Sequence, residues 1–168
     1  RVVAANRFGI PALAHEECLT GVTAWMASVF PAPIAWAATS DPELVEEMGA
    51  AIGRGLRELG VHQGLAPVLD VVRDYRWGRV EETLGEDPTL VADIGAAYVH
   101  GLQSAGPVAT LKHFAGYSAS RGARNHAPVS IGPREFADVI LPSFARAILV
   151  GGARAGMNSY ADLAGLPP

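Results

Sequence analysis

Between residues 41 and 60 the apolar positions fall at Val45, Met48, Ile52, Leu56 and Leu59. That is one face of a 3.6-residue period, so "TSDPELVEEMGAAIGRGLRELG" is predicted to be a helix. Ser40 is placed to cap it, Pro42 suits its first turn, Glu43 completes a capping-box spacing, and Gly60 is a natural stop. A second helical pattern starts at Asp87-Pro88 and ends at Gly106, with Leu90, Val91, Ile94, Ala97, Tyr98 and Leu102 on its face. A third runs from about Pro133 to Val150, bent or broken at Pro142. Short apolar runs lie between them. "GLAPVLDVV" and "VATLKHF" read as buried strands, "ARAGMNSY" as a last strand and "IPALAHEE" as a first one. The expected strands are Pro11–His15, Leu65–Asp70, Ala109–His113 and Ala155–Ser159.

Strand and helix alternate, which implies parallel βα units. Each expected strand ends in polar groups: His15-Glu16-Glu17, Asp70, Lys112-His113, and Asn158 with Tyr160. An open doubly wound sheet gathers its site at one switch point, whereas a barrel puts polar residues at the C-terminal ends of many strands. The pattern favours an α/β fold of the (β/α)₈ TIM-type, with parallel strands and outer helices. The whole of residues 1–168 reads as one incomplete domain of that kind, since a full barrel takes roughly 200–250 residues.

Composition narrows the function. At 49% apolar and 18% charged residues the chain is built to fold. A net charge of −4 with scattered arginines gives no basic stripe, so neither nucleic acid nor a membrane surface is an expected partner. Cys18 is the single cysteine, which excludes a disulfide framework and a thiolate cluster. His15-Glu16-Glu17 is not the His-Glu-x-x-His pattern, and His113 and His126 have no third ligand at a metal spacing, so no metal is expected. No glycine-rich nucleotide fingerprint follows a strand, so no cofactor is expected. No serine nucleophile elbow is present either. The N-terminus has no signal-peptide plan and both ends read as cuts through a longer protein, which leaves the compartment unread.

Lys112 is the only lysine; every other positive side chain is arginine. An ammonium is a compact donor, a guanidinium a broad flat fork, and a sugar hydroxyl in a tight pocket suits the first. The plainer reading is a lysine paired with a surface acid. The loop "RWGRVEETLGEDP" crowds Arg79, Glu81, Glu82, Glu86 and Asp87 together. Most of these read as solvated charges with internal ion pairs, with Trp77 as a wall. Arg79 stands apart, because Gly78 lets the backbone turn inward.

Four stretches, "GIPALAHEECLTG", "LAPVLDVVRDYRWGRVEETLGEDP", "ATLKHFAGYSASRGARNHAPV" and "MNSYADLAGLP", together resemble glycoside hydrolase family 3, which includes β-glucosidases and β-xylosidases. The resemblance implies a (β/α)₈-type first domain and retaining hydrolysis of terminal non-reducing β-D-glucosyl or β-D-xylosyl residues. It places Glu17, Arg79, Lys112, His113, Arg124 and Tyr160 as substrate-binding residues. It implies no catalytic residue in this chain. The nucleophilic aspartate is expected after Pro168, and the acid/base in a later part of the same protein, which is then the missing partner. The substrate would be a β-linked oligosaccharide or glycoside. Asp70 is expected to hold the arginine-rich loop by ion pairing, and Asp162 a turn. Tyr75 stands where the family has proline, which is expected to loosen the loop. His126 has no aspartate two places before it, so the β-N-acetylglucosaminidase branch does not fit. A non-catalytic carbohydrate-binding barrel module is the alternative that stays open.

Overall fold

A computed structural model describes residues 7–167. Four strands, β1 (His15–Glu16), β2 (Gln63–Gly64), β3 (Val108–Phe114) and β4 (Ala155–Asn158), form one sheet in the order β1-β2-β3-β4. Every pairing is parallel. Sequence neighbours are therefore sheet neighbours, each joined by a crossover, as in the wall of a TIM-type barrel.

Two strands are shorter than expected and displaced: β1 shares only His15 with the expected Pro11–His15, and β2 lies wholly ahead of the expected Leu65–Asp70. Across residues 65–70 the ladder persists as single bonds. Ala66 O accepts from Thr110 N at 3.0 Å, Pro67 O from Lys112 N at 3.2 Å, and Leu69 N donates to Lys112 O at 2.7 Å. Pro67 has no N–H to donate, so the segment cannot be a continuous strand. Just before His15, the Ala14 carbonyl accepts from His62 N and Gln63 N, and its N–H donates to His62 Nδ1.

Helix α1 (Pro33–Ala37) was not legible in the apolar pattern, and it seats Trp36 on Tyr98 with ring centroids 5.0 Å apart. Helix α2 (Pro42–Glu58) is capped by Asp41, not Ser40; Asp41 Oδ1 accepts from Leu44 N at 3.1 Å. Ser40 has φ 53° and lies one residue too early for the cap. Helix α3 (Pro88–Ser104) is capped by Asp87 on both Thr89 N and Leu90 N. The third helical segment changes form along its length. A turn at Pro133–Glu135 runs into a π turn at Phe136–Ile140 and then into helix α4 (Leu141–Leu149). Pro142 cannot donate to the carbonyl of Asp138, so the helix widens immediately before it.

Helix α3 is flanked by α2 on one side and α4 on the other. This is why it buries residues around most of its circumference, including Ala92, Ala96 and Val99 outside the predicted face. Ile52, Leu56, Leu69, Ile94, Tyr98, Leu102, Leu111 and Phe144 form the main core between helices and sheet. A second, smaller cluster of Trp77, Tyr117, Ala123, Val129 and Ala161 lies under the loops that follow the strands. It gives those loops a fixed floor.

Candidate functional site

The charged groups that end the strands meet at the C-terminal end of the sheet. Lys112, near the end of β3, is 1% exposed, and its Nζ donates to Glu17 Oε2 at 2.7 Å. Glu17 follows β1, two strands away, and its side chain is 57% exposed. A buried ammonium needs a counter-charge. Here the counter-charge is held at the surface, where a ligand can share it.

The next residue, His113, turns to a different acid. Asp70 Oδ2 accepts from His113 N at 3.0 Å and pairs with His113 Nδ1 at 2.9 Å. Both side chains are buried. The expected ion pair between Asp70 and the arginine-rich loop is not formed. Asp70 sits at the end of the segment that hydrogen-bonds to β3, so the nearest cation-capable group is the imidazole on the neighbouring strand, not the loop. Asp162 is placed as expected beside a turn: its carbonyl accepts from Val129 N, and Leu163–Leu166 close the turn after it.

Arg79 makes a two-pronged ion pair with Glu82, Nε to Oε1 at 2.8 Å and Nη2 to Oε2 at 2.7 Å. The fork geometry suits a carboxylate. Those hydrogen bonds push the Arg79 guanidinium further up from its ordinary range. Burial pushes the Glu82 carboxyl up, but Arg79, with Lys112 and His113 nearby, outweighs burial and holds it below its ordinary value. Glu17, Arg79 and Glu82 line one open depression of about 370 Å³ with Leu19, Thr20, Gly21 and Thr23.

Aromatic rings close the other side. Trp77 is buried edge-on against Tyr117 with centroids 5.2 Å apart, which makes it a wall. Tyr117 is also 5.2 Å from the His113 ring, and the Arg79 guanidinium lies 5.9 Å from the Tyr117 centroid. Tyr160, half exposed, leans on His113 at 5.6 Å, on Tyr117 at 5.4 Å and on His126 at 5.3 Å. Beneath Lys112, burial pushes the Cys18 thiol up to about 11, against a hydrogen bond from Tyr98.

Five of the six sequence-predicted site residues, Glu17, Arg79, Lys112, His113 and Tyr160, thus lie around one end of the sheet. Arg124 does not join them. Its side chain is exposed and lines a separate depression with Arg76 and Arg121. The loop between is tied, not loosened: Tyr75 OH donates to Glu86, and Arg76 pairs with Asp74 at 2.6 Å. Glu82 and the Asp70–His113 contact were not read from the sequence. Glu82 carried a signal, since it stands three residues after Arg79 in a loop of short turns. Among the described residues, no three His, Cys, Asp or Glu side chains gather as metal ligands.

The arrangement offers a surface carboxylate, a buried ammonium, a fixed imidazole and aromatic walls within one concave end. Such a set can hold polyhydroxylated molecules by paired donors and acceptors. Known proteins resemble this chain over nearly its whole length. A β-xylosidase of Formosa agariphila is 37% identical over 98% of this chain, which covers 25% of that protein. A β-glucosidase of Rhizobium radiobacter is 35% identical over 97% of the chain and 21% of its own length. Among solved structures, a β-glucosidase of Erythrobacter marinus superposes with a TM-score of 0.95 at 40% identity, over 99% of this chain and 23% of that one. A β-glucosidase of Listeria innocua in complex with glucose gives 0.91 at 33% identity, over 98% and 23%. The chain spans about a quarter of the length of these relatives. The model of the glycosyl hydrolase family 3 N-terminal domain matches residues 1–168, and the chain belongs to that family.

Proposed function

We propose that this chain forms the sugar-binding part of the pocket of a retaining β-glycosidase. The substrate is a terminal, non-reducing β-D-glucosyl or β-D-xylosyl residue. The observation that supports this most is the joint placement of Glu17 and Lys112. An exposed carboxylate bonded to a buried ammonium gives one acceptor and one donor at a separation that adjacent sugar hydroxyls can bridge. Arg79 and Tyr160 border the same end and His113 lies behind it. The names of the relatives and the glucose bound to the Listeria protein favour a gluco- or xylo-configured ring.

The reaction then runs in two steps. A carboxylate attacks the anomeric carbon while an acid protonates the departing glycosidic oxygen. Water, deprotonated by the same acid/base, then displaces the enzyme carboxylate and restores the β-anomer. Both carboxylates are assigned to chain beyond Pro168. The acids at this end are already engaged: Glu17 by Lys112, Asp70 by His113 and Glu82 by Arg79. The role of the present residues is to bind the sugar more tightly as its ring distorts toward the transition state.

The test is proton NMR of the whole protein acting on 4-nitrophenyl β-D-glucoside and β-D-xyloside. The expected first-formed product is the β-anomer from at least one of them. A first-formed α-anomer would overturn the retaining mechanism. Sugar binding without turnover of either glycoside would favour a non-catalytic module.

A further inference from the structure

We propose that Asp70 is a positioning residue: it fixes the imidazole of His113 with Nδ1–H turned inward, so that Nε2 is the nitrogen left for a sugar hydroxyl. The inference rests on the glycosidase reading above and adds a residue to it. One carboxylate oxygen, Asp70 Oδ2, accepts from both the backbone N–H of His113 at 3.0 Å and its ring Nδ1 at 2.9 Å. A carboxylate only accepts, so the ring hydrogen resides on Nδ1. Bonding main chain and side chain of the same residue through one oxygen fixes the ring about both χ angles.

The far side of the ring is left unsatisfied. His113 Nε2 is buried and has no hydrogen-bond partner, and neither has Asp70 Oδ1. Buried polar atoms are nearly always bonded, so an orphaned ring nitrogen at a strand tip points to a ligand group that is absent here. Two rings lie against the imidazole, the buried Tyr117 at 5.2 Å and the half-exposed Tyr160 at 5.6 Å, tilted at 43°. The Tyr160 hydroxyl makes only a 3.9 Å contact with Met157 Sδ. Because Nε2 is buried, a sugar hydroxyl reaches it only if a neighbouring ring moves, and of the two Tyr160 is the exposed one. Ser118 and Ser143 brace the same stretch, donating to Val71 O at 2.5 Å and to Leu69 O at 2.9 Å, so the carboxylate sits on backbone that is held from both sides.

The experiment is a double-mutant cycle in the whole enzyme, with the tautomer read by NMR. Asp70→Asn keeps the size but lets an amide N–H face the ring. It is expected to lower kcat/KM by about 10- to 100-fold, the loss of one hydrogen bond to the sugar. In a His113→Gln background the same change is expected to cost less than about threefold, because no ring remains to be oriented. Equal losses in both backgrounds would make Asp70 a structural residue and overturn the proposal. Nitrogen-15 histidine labelling, with His113 identified by its loss in His113→Gln, is expected to show hydrogen on Nδ1 in the wild type. Hydrogen on Nε2 alone would also overturn it, whether or not the variants fold. If the wild type hydrolyses no β-glycoside, the glycosidase reading fails, and the NMR result still decides the orientation of His113.

Discussion

Lys112 Nζ lies 2.7 Å from Glu17 Oε2, across a sheet in which their strands are separated by β2. The two residues are 95 positions apart in sequence and differ sharply in exposure, 1% against 57%. The pair is thus a bridge between the interior and the pocket. Its inner end is buried, where a broad guanidinium needs more room than a compact ammonium. Lys112→Arg in the whole enzyme is expected to reduce kcat/KM by about 10- to 100-fold, the cost of one misplaced charged hydrogen bond. Steady-state kinetics on 4-nitrophenyl β-D-glucoside will show it. Wild-type kinetics would reduce Lys112 to a packing residue.

Cys18 is buried beside that bridge, and burial raises its thiol from 9.0 to about 11. The folded state therefore holds this proton more tightly than the unfolded state does. Stability from this source is full below pH 9, falls as pH rises, and is gone above about 11; the whole effect is on the order of 3 kcal/mol. Cys18→Ala is expected to remove this part of the alkaline loss of stability. Reaction with iodoacetamide at pH 9, followed on the peptide containing Cys18, is expected to be about fiftyfold slower in the native protein than in urea, from thiolate fraction alone. Equal rates would mean that the thiol is open to solvent.

Helices α2 and α3 touch through glycines. A Cβ on Gly101 would stand 2.1 Å from Glu46 O, and one on Gly53 would stand 2.6 Å from Leu102 O. Neither obstacle is a flexible side chain, so the helices must separate. Gly101→Ala gains about 1 kcal/mol of helix propensity, and overpacking against backbone offsets that at the upper end of its range, about 3 kcal/mol. The expected result is a net loss of about 2 kcal/mol and a Tm lowered by about 4–8 °C for a domain of this size. Calorimetry or circular dichroism melting checks it, and an unchanged or higher Tm would show that the helices can part freely.

What the sequence revealed and concealed follows one rule. Features carried by a local pattern were legible: the faces of α2 and α3, the stop at Gly60, and the polar residues ending each strand. Features set by a neighbour on another element were not. Asp70 reads as an arginine's partner until His113 is seen on the adjoining strand. No local pattern marks Gly101, whose need for a bare Cα is set by the Glu46 carbonyl on α2. Arg124 follows the family motif, yet its exposed side chain lines a depression with Arg76 and Arg121, in a loop closed by the Ser120–Val129 bridge. Pro67 divides a run of apolar residues that pattern alone makes one strand.

Residues 1–168 alone are expected not to hydrolyse aryl β-glucosides. Retaining catalysis needs a nucleophilic carboxylate about 5–5.5 Å from an acid/base on the other side of the glycosidic oxygen. Each acid at the site is committed instead to a neighbouring cation or imidazole. Glu17 neutralises Lys112, Glu82 is held by both prongs of Arg79, and Asp70 is buried against His113. Of the three, Glu82 has its carboxyl held below the ordinary value by Arg79, which makes it a poor proton donor. The comparison is between this chain and a protein extended through the length of its relatives, both assayed with 4-nitrophenyl β-D-glucoside. Turnover by the extended protein only is the expected outcome. Turnover by the short chain would place the nucleophile among Glu17, Asp70, Glu82 and Asp162, and loss of activity in Glu17→Gln, Asp70→Asn, Glu82→Gln or Asp162→Asn would identify which.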